Sequence, residues 1–218
     1  HRYGTSANGL PPAIEALSVA DLQAFYRAHY RPDNSTLLVV RDVEPASVAA
    51  SLEKTFGSWK SEGMAPLVAA VPNAPQLKSR QLYIRDKPEA GQSQIRIGWV
   101  GVPRSTPDYA ALQVLNTILA GSFTSRLNQN LREKNGNGYG AGSLIDMRLS
   151  AGPFYSTASV QTDKTGDALK EFFNELNGIL EPVPAEELTK AKNYVALSFP
   201  GEFETTGDMA RKLGELVV

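Results

Sequence analysis

The residue pattern predicts an α+β fold, with an antiparallel-rich sheet and helices packed on one face. Three observations predict it. Residues 139–150 and 153–161 read as two paired strands, and Ile95, Ile97 and Trp99 alternate with Arg96 and Gly98 as on a half-buried strand. Leu169, Phe172, Phe173, Leu176, Ile179 and Leu180 form the cleanest helical stripe in the chain.

The remaining elements follow in order. A helix is expected over 19–30, where Ser18 can cap the start and Asp21 sits in the first turn. Leu22, Phe25, Tyr26 and His29 fall on one face of it. Arg31-Pro-Asp-Asn breaks the chain, and 36–40 reads as a buried strand. A second helix is expected over 45–56, with Gly57 as its stop signal. Residues 61–75 hold three prolines and few charges, which marks a linker. Residues 82–84 read as a short strand, and Pro107-Asp opens a helix whose apolar side carries Leu112, Leu115 and Leu119. The turn Gly121-Ser-Phe-Thr-Ser-Arg-Leu leads to a helix ending near Lys134, and a last long helix begins near Pro184-Ala-Glu-Glu-Leu.

Composition excludes several functions. The 218 residues, 42% of them apolar and 21% charged, match a globular protein of one large domain or two small ones. A net charge of −1 argues against a nucleic-acid partner. No apolar run reaches the ~18 residues needed to span a bilayer. The chain has no cysteine, which removes thiolate metal sites and disulfides. It opens at His1 without an initiator methionine and stops inside an amphipathic pattern, Arg211-Lys-Leu-Gly-Glu-Leu-Val-Val. The expectation is a piece of a longer protein, with any signal peptide upstream.

Only two histidines are present, His1 and His29, and neither has a second histidine at zinc-binding spacing. His29, on an apolar helix face, reads as a packed or capping residue. No G-x-S-x-G elbow supports a serine triad. The glycines of Gly136-Asn-Gly-Tyr-Gly-Ala-Gly-Ser follow a helix and precede a strand, the reverse of a phosphate loop, and read as a helix stop using positive φ. Glu186 and Glu187 suit the macrodipole at a helix start. Arg132 and Tyr139 remain, seven residues apart across a helix end and a Gly-rich turn. A guanidinium and a phenol can both donate to peptide carbonyls or to a developing oxyanion. The same spacing also reads as an exposed helix-end arginine and a tyrosine anchoring the next strand.

The surrounding residues resemble the pitrilysin/insulinase family of zinc metallopeptidases. Gly121-Ser-Phe-Thr-Ser-Arg-Leu followed by Leu131-Arg-Glu-Lys-Asn-Gly-Asn-Gly-Tyr is similar to the family's G-G-x-x-S-R-L and L-R-E-K-x-G-x-x-Y. His1-Arg-Tyr-Gly resembles H-P-Y-G, and Leu17-Ser-Val-Ala-Asp-Leu-Gln-Ala-Phe-Tyr resembles L-[ST]-x-x-D-L-x-x-F-[YH]. Arg31-Pro-Asp-Asn-Ser-Thr-Leu-Leu-Val-Val-Arg-Asp resembles Y-x-P-x-N-x-x-L-x-V-V-G-D. Arg41 and Ala120 stand where the family has glycine, and H-x-x-E-H is absent.

The resemblance implies a processing-peptidase-like repeat fold and three segments: 1–60 as the end of one repeat, 61–75 as a linker, and 76–218 as most of a second, non-zinc repeat. It implies that Arg132 holds a substrate carbonyl and that Tyr139 helps polarise the scissile carbonyl or stabilise the tetrahedral intermediate. Zinc would belong to the parent protein or a paired homologous subunit, with none bound by this chain, which would be inactive alone. Partners would be a peptide or unfolded protein, and a zinc-bearing subunit or a homodimer mate. A bacterial periplasmic or exported location is expected. The alternative is a non-catalytic scaffold or assembly subunit of the same family.

Overall fold

The computed structural model describes residues 2–66, 70–136 and 138–217; His1 and the linker residues 67–69 lie outside them. The chain divides into two compact units, Val71–Leu197 and Arg2–Ala70 with Ser198–Val218. Among the described residues no helix is long and apolar enough to cross a membrane.

The first unit is built on a sheet of β1 (Gln92–Val100), β2 (Gly138–Ile145) and β3 (Pro153–Gln161), all antiparallel, with β3 in the centre. Residues of β3 alternate strictly, so Phe154, Ser156, Ala158 and Val160 are buried while their neighbours are partly open. This is period-two patterning with one face turned to the core. On the same face Ile95 pairs with Ala158, and Trp99 lies across from Phe154 with ring centroids 4.2 Å apart. Ser156, wholly buried, donates its hydroxyl to the Gly142 carbonyl at 3.1 Å, which satisfies it inside the core.

Helices cover that face. Helix α4 (Tyr109–Asn116) runs on through a wide π-helical turn, Thr117–Gly121, whose Leu119 and Ala120 are buried. Ala120 is thus a core residue. A three-residue helix α5 (Arg126–Asn128) also continues as a π-helical segment, Gln129–Lys134, and buries Leu127 and Leu131. Helix α6 (Thr165–Gly178) adds Ala168 and Phe172, both fully buried. Helix α7 (Ala185–Ser198) follows, starting with Glu186 and Glu187 in its first turn. The α+β class and the layering expected from the sequence are what the chain adopts.

A polar clamp holds these helices together. The Arg126 guanidinium donates to both carboxylate oxygens of Glu187, at 2.8 and 2.6 Å, and to the Gly178 carbonyl at 3.1 Å. One side chain therefore ties the start of α5 to the end of α6 and the start of α7. The fork matches the carboxylate geometrically, which makes the contact directional as well as attractive. Glu187 therefore does more than complement a helix dipole.

The second unit carries helices α1 (Pro11–Glu15), α2 (Val19–His29), α3 (Pro45–Phe56) and α8 (Thr206–Val217). Ser18 and Asp21 form the expected capping box at α2. Thr205 and Asp208 make the same reciprocal pair at α8. Arg31 is the buried hub: it grips both oxygens of Asp33 and donates to the carbonyls of Glu62 and Gly63.

Four expectations are corrected. Residues 36–40 are irregular, with Leu37 and Val39 exposed, not a buried strand. Residues 82–84 are likewise irregular and exposed. An apolar run supplies only the side-chain half of a strand; the other half is a neighbour for its N–H and C=O groups, and neither segment has one among the described residues. The apolar face of α2, with Leu22, Phe25 and Tyr26, is solvent-exposed, so amphipathic spacing formed the helix without covering it. Strand β2 ends at Ile145, five residues early: Asp146 still donates to the Pro153 carbonyl at 3.0 Å in ladder register, but a proline has no N–H to return, and the Met147 N–H turns back to the Ile145 carbonyl at 3.0 Å.

Two glycines set the entry to β2. Gly136 has φ +59°, in the left-handed region, and its N–H donates to the Arg132 carbonyl at 3.2 Å, closing the helix as expected. A Cβ on Gly138 would lie 2.3 Å from the Ser159 carbonyl oxygen. Gly138→Ala is expected to destabilise by about 2 kcal/mol or more, whereas Gly142→Ala, with open space at its Cβ, is expected to cost about 0.5 kcal/mol or less. Urea unfolding of both variants checks the contrast.

The clamp gives a pH prediction. Hydrogen bonding to Arg126 holds the Glu187 carboxyl below its ordinary value of 4.5, against the opposing effect of burial. Its folded pKa is lowered, so the stabilisation is complete above the unfolded value and is lost as pH falls through the folded one. Glu187→Gln is expected to cost about 1–2 kcal/mol at neutral pH. It should also flatten the loss of stability on acidification. Equal acid dependence in the two proteins, followed by urea midpoints, would contradict the clamp.

Candidate functional site

Arg132 sits near the end of the π-helical segment, exposed, where Leu131 beside it is buried. Its Nε approaches a Glu133 carboxylate oxygen at 3.4 Å, and its guanidinium carbon lies 4.5 Å from the centre of the Phe123 ring. Phe123 belongs to the turn between α4 and α5 and is itself exposed. The ring face attracts the cation and limits its rotamers. The terminal guanidinium nitrogens make no hydrogen bond among the described residues, which leaves a planar fork of donors at the surface.

Tyr139 lies in β2, and its side chain is outside what the structure describes. Its backbone position is informative. Gly138 pairs with Val160 and Gly140 with the next residue, Ser159, so Tyr139 is the extra residue of a β-bulge. Bulges bend the strand and re-aim the residue they carry. The chain thus closes the Arg132 helix at Gly136, turns back, and enters β2 through a kink at Tyr139.

Asn128 joins these parts. Its amide nitrogen donates to the Ala141 carbonyl at 2.6 Å, the Ser122 carbonyl at 3.1 Å and the Ser125 hydroxyl at 3.1 Å. Its oxygen accepts from the Ala141 N–H at 2.8 Å. Phe123 lies inside a sequence motif that gives it no role, and Asn128 falls between the two motifs. The signal for Asn128 was there: an amide between Leu127 and Leu131, on the face of a helix that must be buried.

The other candidates separate. His29 is exposed, not packed in a core; its ring lies 4.4 Å from that of Phe25 in the last turn of α2. The helix ends there as Tyr30 and Arg31 turn extended ahead of Pro32. His1 is outside the described residues. Among those described, no three His, Asp or Glu side chains come together in a way that could hold a metal ion, so the residues present do not fit zinc. An apolar groove of about 330 Å³ lies between α4 and α7, lined by Val114, Leu115, Ile118, Val183 and Leu188 among others, and Arg132 is not part of it.

Comparison with known proteins gives the family. A family model described as Peptidase M16 inactive domain matches residues 16–195. The uncharacterized zinc protease SCO5738 of Streptomyces coelicolor is 27% identical over 224 residues, covering 98% of this chain and 48% of the relative. An M16 inactive domain from Pseudomonas fluorescens superposes with a TM-score of 0.84 at 25% identity, covering 100% of this chain and 51% of that one. A protease from Helicobacter pylori shares the fold, with a TM-score of 0.84 at 22% identity over 96% of this chain and 51% of its own. The chain spans about half the length of the curated relatives it matches. A match over residues 16–195 covers most of the sequence, and the chain belongs to the Peptidase M16 inactive-domain family, among the pitrilysin/insulinase-type zinc proteases that its motifs resemble.

Proposed function

We propose that this chain supplies the substrate-binding half of a zinc-dependent endopeptidase of its family, facing a zinc held by another part of the whole protein or by a paired homologous subunit. In this reading residues 76–218 belong to a non-zinc repeat and 1–60 to the end of the preceding one. The observation that carries it is the bulge at Tyr139 on a strand folded directly back on the helix that presents Arg132.

The chemistry follows from the groups. A guanidinium fork anchored on an aromatic ring donates to a peptide carbonyl, and its rigidity lowers the entropy lost on binding. A phenol donates to an oxygen on which negative charge develops, and such donors act most strongly where charge appears in the transition state. The relatives' names, zinc protease, support peptide hydrolysis as the reaction of the whole protein. Strand β1, at one edge of the sheet, offers backbone groups to an extended peptide, which favours unfolded or short substrates.

The test is peptide cleavage by the full-length protein. Arg132→Ala is expected to raise KM and to lower kcat/KM on the order of 10–100-fold; Arg132→Lys should recover little of this, because an ammonium cannot replace the fork. Tyr139→Phe is expected to lower kcat on the order of 100-fold with a smaller change in KM. Unchanged turnover in both variants removes the role of the pair, whereas no cleavage by the full-length protein leaves the non-catalytic scaffold as the reading.

A further inference from the structure

We infer that Asn128 is the positioning residue of this site, fixing the strand that carries Tyr139 against the helix that carries Arg132. The inference rests on the proposed role of that pair. Asn128 is 7% exposed, and its side-chain amide takes both main-chain polar groups of Ala141. Ala141 pairs with Ala158 of β3 on its other side, so Asn128 stands where the next strand of the sheet would be. One residue thus satisfies an edge that would otherwise be buried unpaired.

The position matters more than the bonds alone. Asn128 lies four residues before Arg132 in one helical segment, and Ala141 lies two residues after the bulged Tyr139. The same amide nitrogen also reaches Ser122 and Ser125, on either side of Phe123, the ring beneath the Arg132 guanidinium. Gly140 leaves the room for this approach: a Cβ there would sit 3.3 Å from the Asn128 oxygen. The turn, the helix and the strand are therefore held by a single group of fixed length. A shift of the strand by a fraction of an ångström would displace Tyr139 without unfolding anything.

The experiment uses the full-length protein, a quenched-fluorescence casein peptide as probe, and Asn128→Ala alone and in the Tyr139→Phe background. Asn128→Ala is expected to lower kcat on the order of 10–100-fold, with KM changed less than about threefold. In the Tyr139→Phe background the same substitution should cost less than about threefold, since the group it positions is gone, while the fall in Tm is equal in both backgrounds. Equal losses of kcat in the two backgrounds, or no loss, overturn the inference. Amide exchange of the metal-free protein reads the anchor without any chemistry: the Ala141 amide should lose at least about tenfold in protection, and unchanged protection overturns it as well. If Asn128→Ala does not fold, Asn128→Asp, which keeps the acceptor and loses the donor, is measured in the same two backgrounds under the same kinetic criteria. Unchanged turnover in Tyr139→Phe by itself removes the reading beneath and the positioning role with it. The exchange result distinguishes that failure from a failure of the anchor.

Discussion

Three consecutive residues, Arg126, Leu127 and Asn128, fix the helix on which the first unit and its candidate site depend. Arg126 takes the Glu187 carboxylate and the Gly178 carbonyl, Leu127 is wholly buried, and Asn128 takes the edge of β2. The helix is short and widens at once into a π-helical segment, a geometry of poor intrinsic stability. Its shape must therefore come from tertiary partners. Polar contacts in three directions determine both its rotation and its depth, and the wide turn then brings Leu131 into the core with Arg132 outside.

A second amide works beside the first. Asn130, also buried, donates to Glu171 at 2.9 Å and Glu175 at 2.7 Å on α6, and it accepts from Asn135 at 2.6 Å. The Asn130 amide, with Asn174, holds the Glu171 carboxyl below its ordinary value. Buried amides of this kind contribute little net free energy when satisfied and are costly when not. Their larger effect is on uniqueness. An apolar contact between α5 and α6 would tolerate a sliding helix, whereas an amide aimed at two carboxylates does not.

Much of this was legible in the sequence because periodicity and caps are local. Ser18 and Asp21 announced α2, and the stripe from Leu169 announced α6, although α6 stops at Gly178 and leaves Leu180 exposed. The positive φ at Gly136 was legible because a glycine after a helix end has one strong use. What failed depended on partners: residues 36–40 and 82–84 have strand composition without a strand beside them among the described residues. Arg132 and Tyr139 were legible only through the family motif, since their spacing also fits an ordinary helix end. The Asn128–Ala141 pairing joins residues 13 apart across a turn, and no periodicity encodes it.

The same contrast bears on what a surface can offer a peptide when its described residues bring no metal ligands together. A zinc site needs several donors converging on one point, and losing one ligand disables it. A carbonyl-binding site of the kind proposed needs only directional donors held still at a surface, and in this chain each constraint on the proposed pair has a physical source. Phe123 limits the guanidinium, Gly136 closes the helix, the bulge sets Tyr139 apart in its strand, and Asn128 joins strand to helix. The backbone placement of the proposed pair is thus set by the fold itself, among described residues that do not fit zinc.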